Sequence, residues 1–231
     1  MSVTPHIFKA YDVRGLYPSE INEDAARLIG RAFVSYLGAR RIAVGRDMRL
    51  SSPSVAAAFI EGARDQGADV VDYGMMATDM VYFAVARDGH DGGAQITASH
   101  NPKEYNGIKM VRREAFPLSG DAGIGEIREM VTTGSLPPAA ATKGSLTRED
   151  VLDDYVDHVL SFIDEKAVGQ NEPYFRVRLR TKTNQLGTPS RPLRIAPGMV
   201  VTADILTGDR TVLTYLTKPI FKALGSSLGE R

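Results

Sequence analysis

The 231-residue chain contains no cysteine and no tryptophan, and only 7% of it is aromatic. Without cysteine there can be no disulfide, no thiolate metal ligand and no cysteine nucleophile, in any compartment. Net charge is absent too: 28 basic residues balance 28 acidic ones. That balance removes a global electrostatic case for binding nucleic acid. No apolar run approaches the ~20 residues that a bilayer-spanning helix needs. The first fifteen residues, MSVTPHIFKAYDVRG, are too polar for a secretory signal. These absences imply a soluble, cytoplasmic protein with no transmembrane segment and no nucleic-acid partner. What is present is ordinary for a globular chain, with 43% hydrophobic and 24% charged residues. At roughly 150 residues per domain, the length allows one full domain and a piece, or two small ones.

The zero charge conceals a division. Residues 1–168 hold 18 basic and 24 acidic side chains, a net of −6, whereas residues 169–231 hold 10 and 4, a net of +6. Such asymmetry points to two modules, with a boundary near residues 162–170. We expect one domain over residues 1–165 and a second piece over 166–231. There is no internal repeat. Residues 132–145 are small, turn-like and contain proline, and read as a surface loop.

Residues 1–165 alternate between helical and strand patterns. Residues 22–37 place Ala25, Ala26, Leu28, Ile29, Ala32, Phe33, Tyr36 and Leu37 at helical spacing, with Gly38 as the stop. Residues 41–44 are a short strand, and Ser52 with Pro53 opens a helix that runs to Gly67. Residues 69–73 and 93–97 read as strands, with a short helix over 78–86 between them. Residues 106–111 are a further strand and residues 120–131 a helix. Thr147, with Asp150 three residues later, forms a capping box. It opens a helix whose stripe is Leu152, Tyr155, Val156, Val159, Leu160 and Ile163. The expected fold class is therefore α/β, a mixed sheet flanked by helices, followed by a small β-hairpin plus helix tail. In the tail, residues 174–181 and 199–206 read as strands, 185–198 as a loop bearing proline and glycine, and 211–224 as an amphipathic helix. Ligands of open α/β sheets sit beyond the carboxyl ends of the strands, so residues 45–52 and 98–105 are the loops that can carry chemistry.

The second of these loops holds Thr97-Ala98-Ser99-His100-Asn101-Pro102 directly after a strand. Small Ala98 admits a ligand, Asn101 can turn the chain through its own side chain, and Pro102 stiffens the exit. Ser99 is a weak nucleophile that needs a base or prior activation, and His100 is its immediate neighbour. A simple Ser/Asn turn satisfies the same residues. A Ser-His-Asp hydrolase does not, because no G-x-S-x-G elbow is present. Arg46, Asp47 and Arg49 read as an ion-pair cluster beneath this loop. His6, His90 and His158 lack metal-ligand spacing and read as surface or packing residues.

Four segments together resemble one family. TASHNP (97–102), Asn106-Gly107-Ile108-Lys109, Phe8-Lys9-Ala10-Tyr11-Asp12-Val13-Arg14-Gly15 and Gly45-Arg46-Asp47-Met48-Arg49-Leu50-Ser51-Ser52 are similar, in order and spacing, to the first domain of the α-D-phosphohexomutases, the phosphomannomutase/phosphoglucomutase family. The resemblance covers about residues 5–165. It implies an isomerase whose Ser99, as a phosphoserine, passes its phosphoryl group to a hexose phosphate and regains one from the bisphosphate intermediate. It implies Lys109 as general acid/base with Arg14 assisting, His100 bordering the phosphoserine, and Asn101, Arg46 and Asp47 supporting substrate and loop. It implies Mg2+ as cofactor, bound to phosphorylated Ser99. The family's D-G-D-x-D-R metal loop and its distal sugar and phosphate loops do not occur in this sequence. Six oxygens, the usual Mg2+ set, cannot come from Ser99 alone, so the expectation is negligible turnover by this chain alone.

Residues 165–231 have their own resemblance. Tyr174-Phe175-Arg176-Val177-Arg178-Leu179, Pro197-Gly198-Met199-Val200-Val201 and the stretch from Asp204 to Leu213 resemble the C-terminal end of HlyD-type membrane fusion proteins. That implies a tail able to dock on a transporter or on itself. Three readings follow: a catalytically incomplete phosphohexomutase domain, a secretion-adaptor-like interaction fragment, and a non-catalytic sugar-phosphate-binding module.

Overall fold

Asn22 starts the first long helix, α1 (Glu23–Leu37), because its side-chain oxygen accepts the Ala25 N–H at 3.0 Å and satisfies one orphan donor of the first turn. Glu23 and Asp24 complement the positive end of the helix, and Gly38, at φ 59°, closes it in the left-handed conformation. The computed structural model describes residues 3–162, 185–188 and 191–194. The chain falls into two compact units, Met1–Gln170 and Asn171–Arg231.

In the first unit the remaining elements are β1 (Val13–Leu16), β2 (Arg41–Arg46), α2 (Ser52–Asp65), β3 (Asp69–Met75), α3 (Thr78–Arg87), β4 (Gly92–Ile96), β5 (Tyr105–Arg112), α4 (Ile124–Thr133), β6 (Leu146–Arg148) and α5 (Leu152–Leu160). The six strands form one mixed sheet in the order β1-β5-β4-β2-β3-β6. β4, β2, β3 and β6 run parallel, and β5 lies antiparallel between β4 and β1. This is the α/β class expected from the alternation of periods.

One face of the sheet packs against α1, α2 and α4 through Ile42, Val44, Ala94, Ile96, Ile108 and Met110, with Phe33 and Phe59 5.9 Å apart between the helices. The other face packs on α3 through Ala43, Val71, Tyr73 and Val111 against Val81, Ala84 and Val85. α1 and α2 touch backbone to backbone. A Cβ on Gly30 would come within 2.3 Å of the Phe59 carbonyl oxygen, and one on Gly62 within 2.0 Å of the Arg27 carbonyl oxygen. Only glycine fits there.

Four local expectations are corrected. Ser52 lies inside α2, and its hydroxyl goes to Asp47 rather than to the helix start, whose N-cap is Ser51. The helix expected over 120–131 begins at Ile124, because residues 119–123 make tight backbone bonds of their own. Thr147 belongs to strand β6, drawn there by pairing with Val71, so the capping box at 147–150 does not form. Asp150 instead accepts the Leu152 N–H at 2.8 Å. In the second unit, part of the loop expected over 185–198 is an antiparallel hairpin, β7 (Gln185–Thr188) with β8 (Arg191–Arg194), in which Gly187 pairs with Pro192. A two-stranded hairpin has only edge strands, where proline is tolerated. The strands expected at 174–181 and 199–206, the helix at 211–224 and the rest of the adaptor-like tail lie outside the described residues. Among the described residues no helix is long and apolar enough to cross a membrane.

Candidate functional site

β4 is buried along its whole length and delivers Thr97 to the carboxyl end of the sheet. The Thr97 N–H still bonds to the Gly107 carbonyl of β5 at 2.9 Å, so the sheet pattern persists for one residue past the strand. The chain then breaks away. Thr97 Oγ1 accepts the Ser99 N–H at 2.8 Å, and the Ala98 carbonyl accepts both the backbone N–H of Asn101 (3.1 Å) and its Nδ2–H (2.7 Å). Asn101 thus makes the turn that its residue type favours. Ser99 is exposed and held at φ 54°. For a residue with a Cβ this left-handed conformation costs about 1–2 kcal/mol, and it persists only where the surroundings impose it. Exposed His100 places Nδ1 3.4 Å from Ser99 Oγ.

Beneath the loop lies the turn after β2. Arg49 is mostly buried and pairs with Asp47 at 3.1 Å. It donates to the carbonyls of Ser99 (2.8 Å), Asn101 (2.7 Å), Pro102 (2.7 Å) and Tyr105 (3.0 Å). Asp47 in turn accepts from the Arg49 N–H at 3.0 Å and the Ser52 hydroxyl at 2.5 Å. Asn106 donates to Ser51 and Ser52 and accepts the Gly107 N–H, which ties β5 to the start of α2. A cavity of about 800 Å³ opens between the two loops, lined among others by Asp47, Leu50, Thr97, Ser99, Lys103 and Glu104.

Arg14 and Lys109 are brought together on the α3-side face of the sheet. Arg14 pairs with Gly107 in the β1–β5 register, and Lys109 stands two residues, about 7 Å, further along β5. Both converge on one oxygen: Asp12 Oδ2 lies 2.5 Å from Arg14 Nη2 and 3.3 Å from Lys109 Nζ. Asp12 is 4% exposed, whereas both cations keep an open side. Since Thr97 bonds to Gly107 and Gly107 pairs with Arg14, the Ser99 loop and the two cations flank the same row of the sheet. Neither cation lines the 800 Å³ cavity.

The structure does not bring Arg46 to the loop. It lines a separate groove of about 510 Å³ between α2, β3 and β6, beside Asp72, Tyr73 and Arg148. Of the three histidines read as packing or surface groups, His6 meets Glu20 at 2.8 Å, His158 stacks on Phe83 with centroids 4.8 Å apart, and His90 is fully buried beside Tyr73. Asp12 is absent from the site residues expected from sequence, whereas Arg49 is expected in the ion-pair cluster beneath the loop and does pair there with Asp47. Asp12 stands at i−2 from Arg14, the spacing that puts both on one strand face. Arg49 lies in the segment after β2, and nothing in the sequence reports that loop carbonyls surround it.

Among the described residues no group of three or more histidine or acidic side chains clusters to hold a metal. Asp47, beneath the loop, and Asp12, between the two cations, already accept from arginine, which leaves Glu104 as the carboxylate that lines the cavity with Ser99.

Comparison with known proteins gives concordant matches. Residues 5–137 match the domain family described as phosphoglucomutase/phosphomannomutase, alpha/beta/alpha domain I. A phosphomannomutase of Escherichia coli is 46% identical over 158 residues, which is 68% of this chain and 35% of that protein. One of Klebsiella pneumoniae is 46% identical over 151 residues, 65% of this chain and 96% of that protein. The crystal structure of a phosphoglucomutase/phosphomannomutase family protein from Burkholderia thailandensis superposes with a TM-score of 0.62 at 38% identity, covering 70% of this chain and 36% of that one. The chain spans about a third of the length of the Escherichia coli relative.

Proposed function

Because this chain belongs to the phosphoglucomutase/phosphomannomutase family, we propose that it carries the phosphoryl-accepting serine of a hexose-phosphate mutase, an isomerase activity, at Ser99. The observation that carries the proposal is the placement of Ser99: exposed, in a left-handed bend at the carboxyl end of a buried central strand. A hydroxyl presented in that way can meet a phosphoryl group without moving the sheet.

The chemistry is a transfer between oxygens. Ser99 Oγ attacks the phosphorus of a hexose bisphosphate. Its O–H proton passes to a base, the phosphorus–sugar oxygen bond breaks, and the sugar oxygen takes a proton. The reverse transfer phosphorylates the other hydroxyl of a hexose monophosphate. Lys109 is the proposed acid/base, with two of its three N–H donors unused by protein among the described residues. Arg14 is the proposed neutraliser of charge on the transferring phosphate. Asp12 holds both cations in place, His100 borders the serine and Asn101 fixes the bend. The residues described do not form a site for Mg2+, and no step is assigned to it.

The test is incubation of the purified chain with a phosphorus-labelled hexose 1,6-bisphosphate, followed by peptide mass spectrometry. One phosphate on Ser99, absent from Ser99→Ala, is the expected result. Tight hexose-phosphate binding with Ser99 unmodified would replace this reading with a binding module.

A further inference from the structure

We infer that Arg49 is the positioning residue of the Ser99 loop, acting on the transfer through the backbone and making no contact with the phosphate; this rests on the phosphoryl-carrier reading of Ser99. A guanidinium owns five N–H donors in one plane and cannot accept. All five are spent. Nε goes to Asp47, Nη1 to the Pro102 and Tyr105 carbonyls, and Nη2 to the Ser99 and Asn101 carbonyls, at distances of 2.7–3.1 Å. No donor remains for a substrate, which separates Arg49 in role from Arg14 and Lys109.

The same five bonds explain how a serine is kept at φ 54°. Four carbonyls from residues 99–105 converge on a single cation, and that cation is fixed from below by Asp47, which the Ser52 hydroxyl anchors to the first turn of α2. The loop is thereby clamped to the rigid part of the domain through one side chain. A trans peptide sets its N–H opposite its carbonyl. Turning the Ser99 carbonyl onto Arg49 therefore turns the His100 N–H away from it, and that N–H meets no acceptor among the described residues. It lies one peptide from the Ser99 hydroxyl, where a phosphate on Oγ would need a donor. Lysine cannot copy this clamp, because three donors on one nitrogen do not span five acceptors.

The experiment follows two signals in the unaltered chain, Arg49→Ala and Arg49→Lys. The first is amide hydrogen exchange at Ser99, Asn101 and Tyr105, with the α1 amides as internal reference. The expected result is faster exchange in the loop by at least about tenfold in Arg49→Ala, with α1 unchanged. The second is the initial rate of phosphate incorporation into Ser99 from a labelled hexose 1,6-bisphosphate. Arg49→Ala is expected to lose about 10²-fold in maximal rate, with a half-saturating concentration changed by less than about threefold, and Arg49→Lys to recover little of it. Added guanidinium ion should restore part of the Arg49→Ala rate, which a general loss of stability would not allow. Unchanged loop exchange in Arg49→Ala overturns the inference, as does a loss confined to half-saturation, which would make Arg49 a phosphate ligand. If the unaltered chain takes up no phosphate, the phosphoryl-carrier reading fails on its own, and the exchange result still decides whether Arg49 holds the loop.

Discussion

Lys109 Nζ stands 3.3 Å from Asp12 Oδ2, across the boundary between β5 and the segment entering β1. The carboxylate is buried and the ammonium keeps an open side, and the same oxygen also holds Arg14 at 2.5 Å. Replacing the charge by Asp12→Asn is expected to cost about 1–3 kcal/mol in urea unfolding, the scale of hydrogen bonds to charged groups. Phosphate incorporation into Ser99 should fall in the same variant. An unchanged unfolding midpoint together with an unchanged incorporation rate would show that Asp12 holds neither cation.

Position 99 separates chemistry from strain. At φ 54° a serine or an alanine suffers the left-handed penalty and a glycine does not. Ser99→Gly and Ser99→Ala should both abolish phosphate incorporation. Ser99→Gly should nonetheless be the more stable of the two, by about 1 kcal/mol in chemical denaturation. Equal stability would mean that the bend is not imposed by the surrounding loop.

The α1–α2 contact tolerates no added carbon. A Cβ on residue 62 meets the Arg27 carbonyl oxygen at 2.0 Å, and backbone cannot yield as a flexible side-chain end can. Gly62→Ala is expected to destabilise the domain by about 1–3 kcal/mol, the range for overpacking. A thermal midpoint equal to that of the unaltered chain would show that the helices can part without loss.

Acid stability should depend on His90. The ring is fully buried, its Nε2 lies 3.0 Å from the Tyr73 hydroxyl, and its Nδ1 has no partner among the described residues. Burial is the main cause that lowers its pKa below the usual 6.5; Arg41 adds to this, while Asp88, Glu149 and Asp91 oppose it. The unfolded chain then binds a proton more readily than the folded one. Stability is full above about pH 6.5 and is lost as pH falls toward the folded value, with a slope of at most about 1.4 kcal/mol per pH unit. The Asp88 carboxyl, held below its ordinary range despite burial by Arg87 and the Tyr73 hydroxyl, adds a second loss only below about pH 4. His90→Gln should flatten the part of the urea-midpoint profile between about pH 6.5 and about pH 4. If that limb keeps its slope, another group sets it.

Much of the domain was legible because its signals are local. The 3.6-residue stripe and the Asn22 and Gly38 ends specify α1 without reference to anything distant. The strands over 41–46, 69–75, 92–96 and 105–112 show as apolar runs between turn residues. Misreadings fell where another partner, near or distant, outvoted the pattern of the segment itself. Thr147 has capping chemistry, yet pairing with Val71 makes it the middle of an edge strand. Ser52 has a cap's hydroxyl, yet Asp47 takes it. Gly187 and Pro192 look like loop residues, yet they pair with each other in a hairpin whose two strands are both edges, where proline is tolerated.

The site divides in the same way. Local pattern was enough to specify the α/β class, the five helices, the four strands β2 to β5 and the small, turn-forming loop in which Ser99 sits, because periodicity, caps and turn residues act over a few positions; the edge strands β1 and β6 were not legible in it. Folding in three dimensions was needed to make Asp12, Arg14 and Lys109 share one oxygen, to gather four carbonyls of the Ser99 loop around Arg49, and to turn Arg46 into a different groove. Those outcomes depend on strand register and on which buried donors meet which acceptors across 50 to 97 residues of chain. A hydrogen bond is specified by position in space, and spacing along the sequence does not encode it until the sheet has formed.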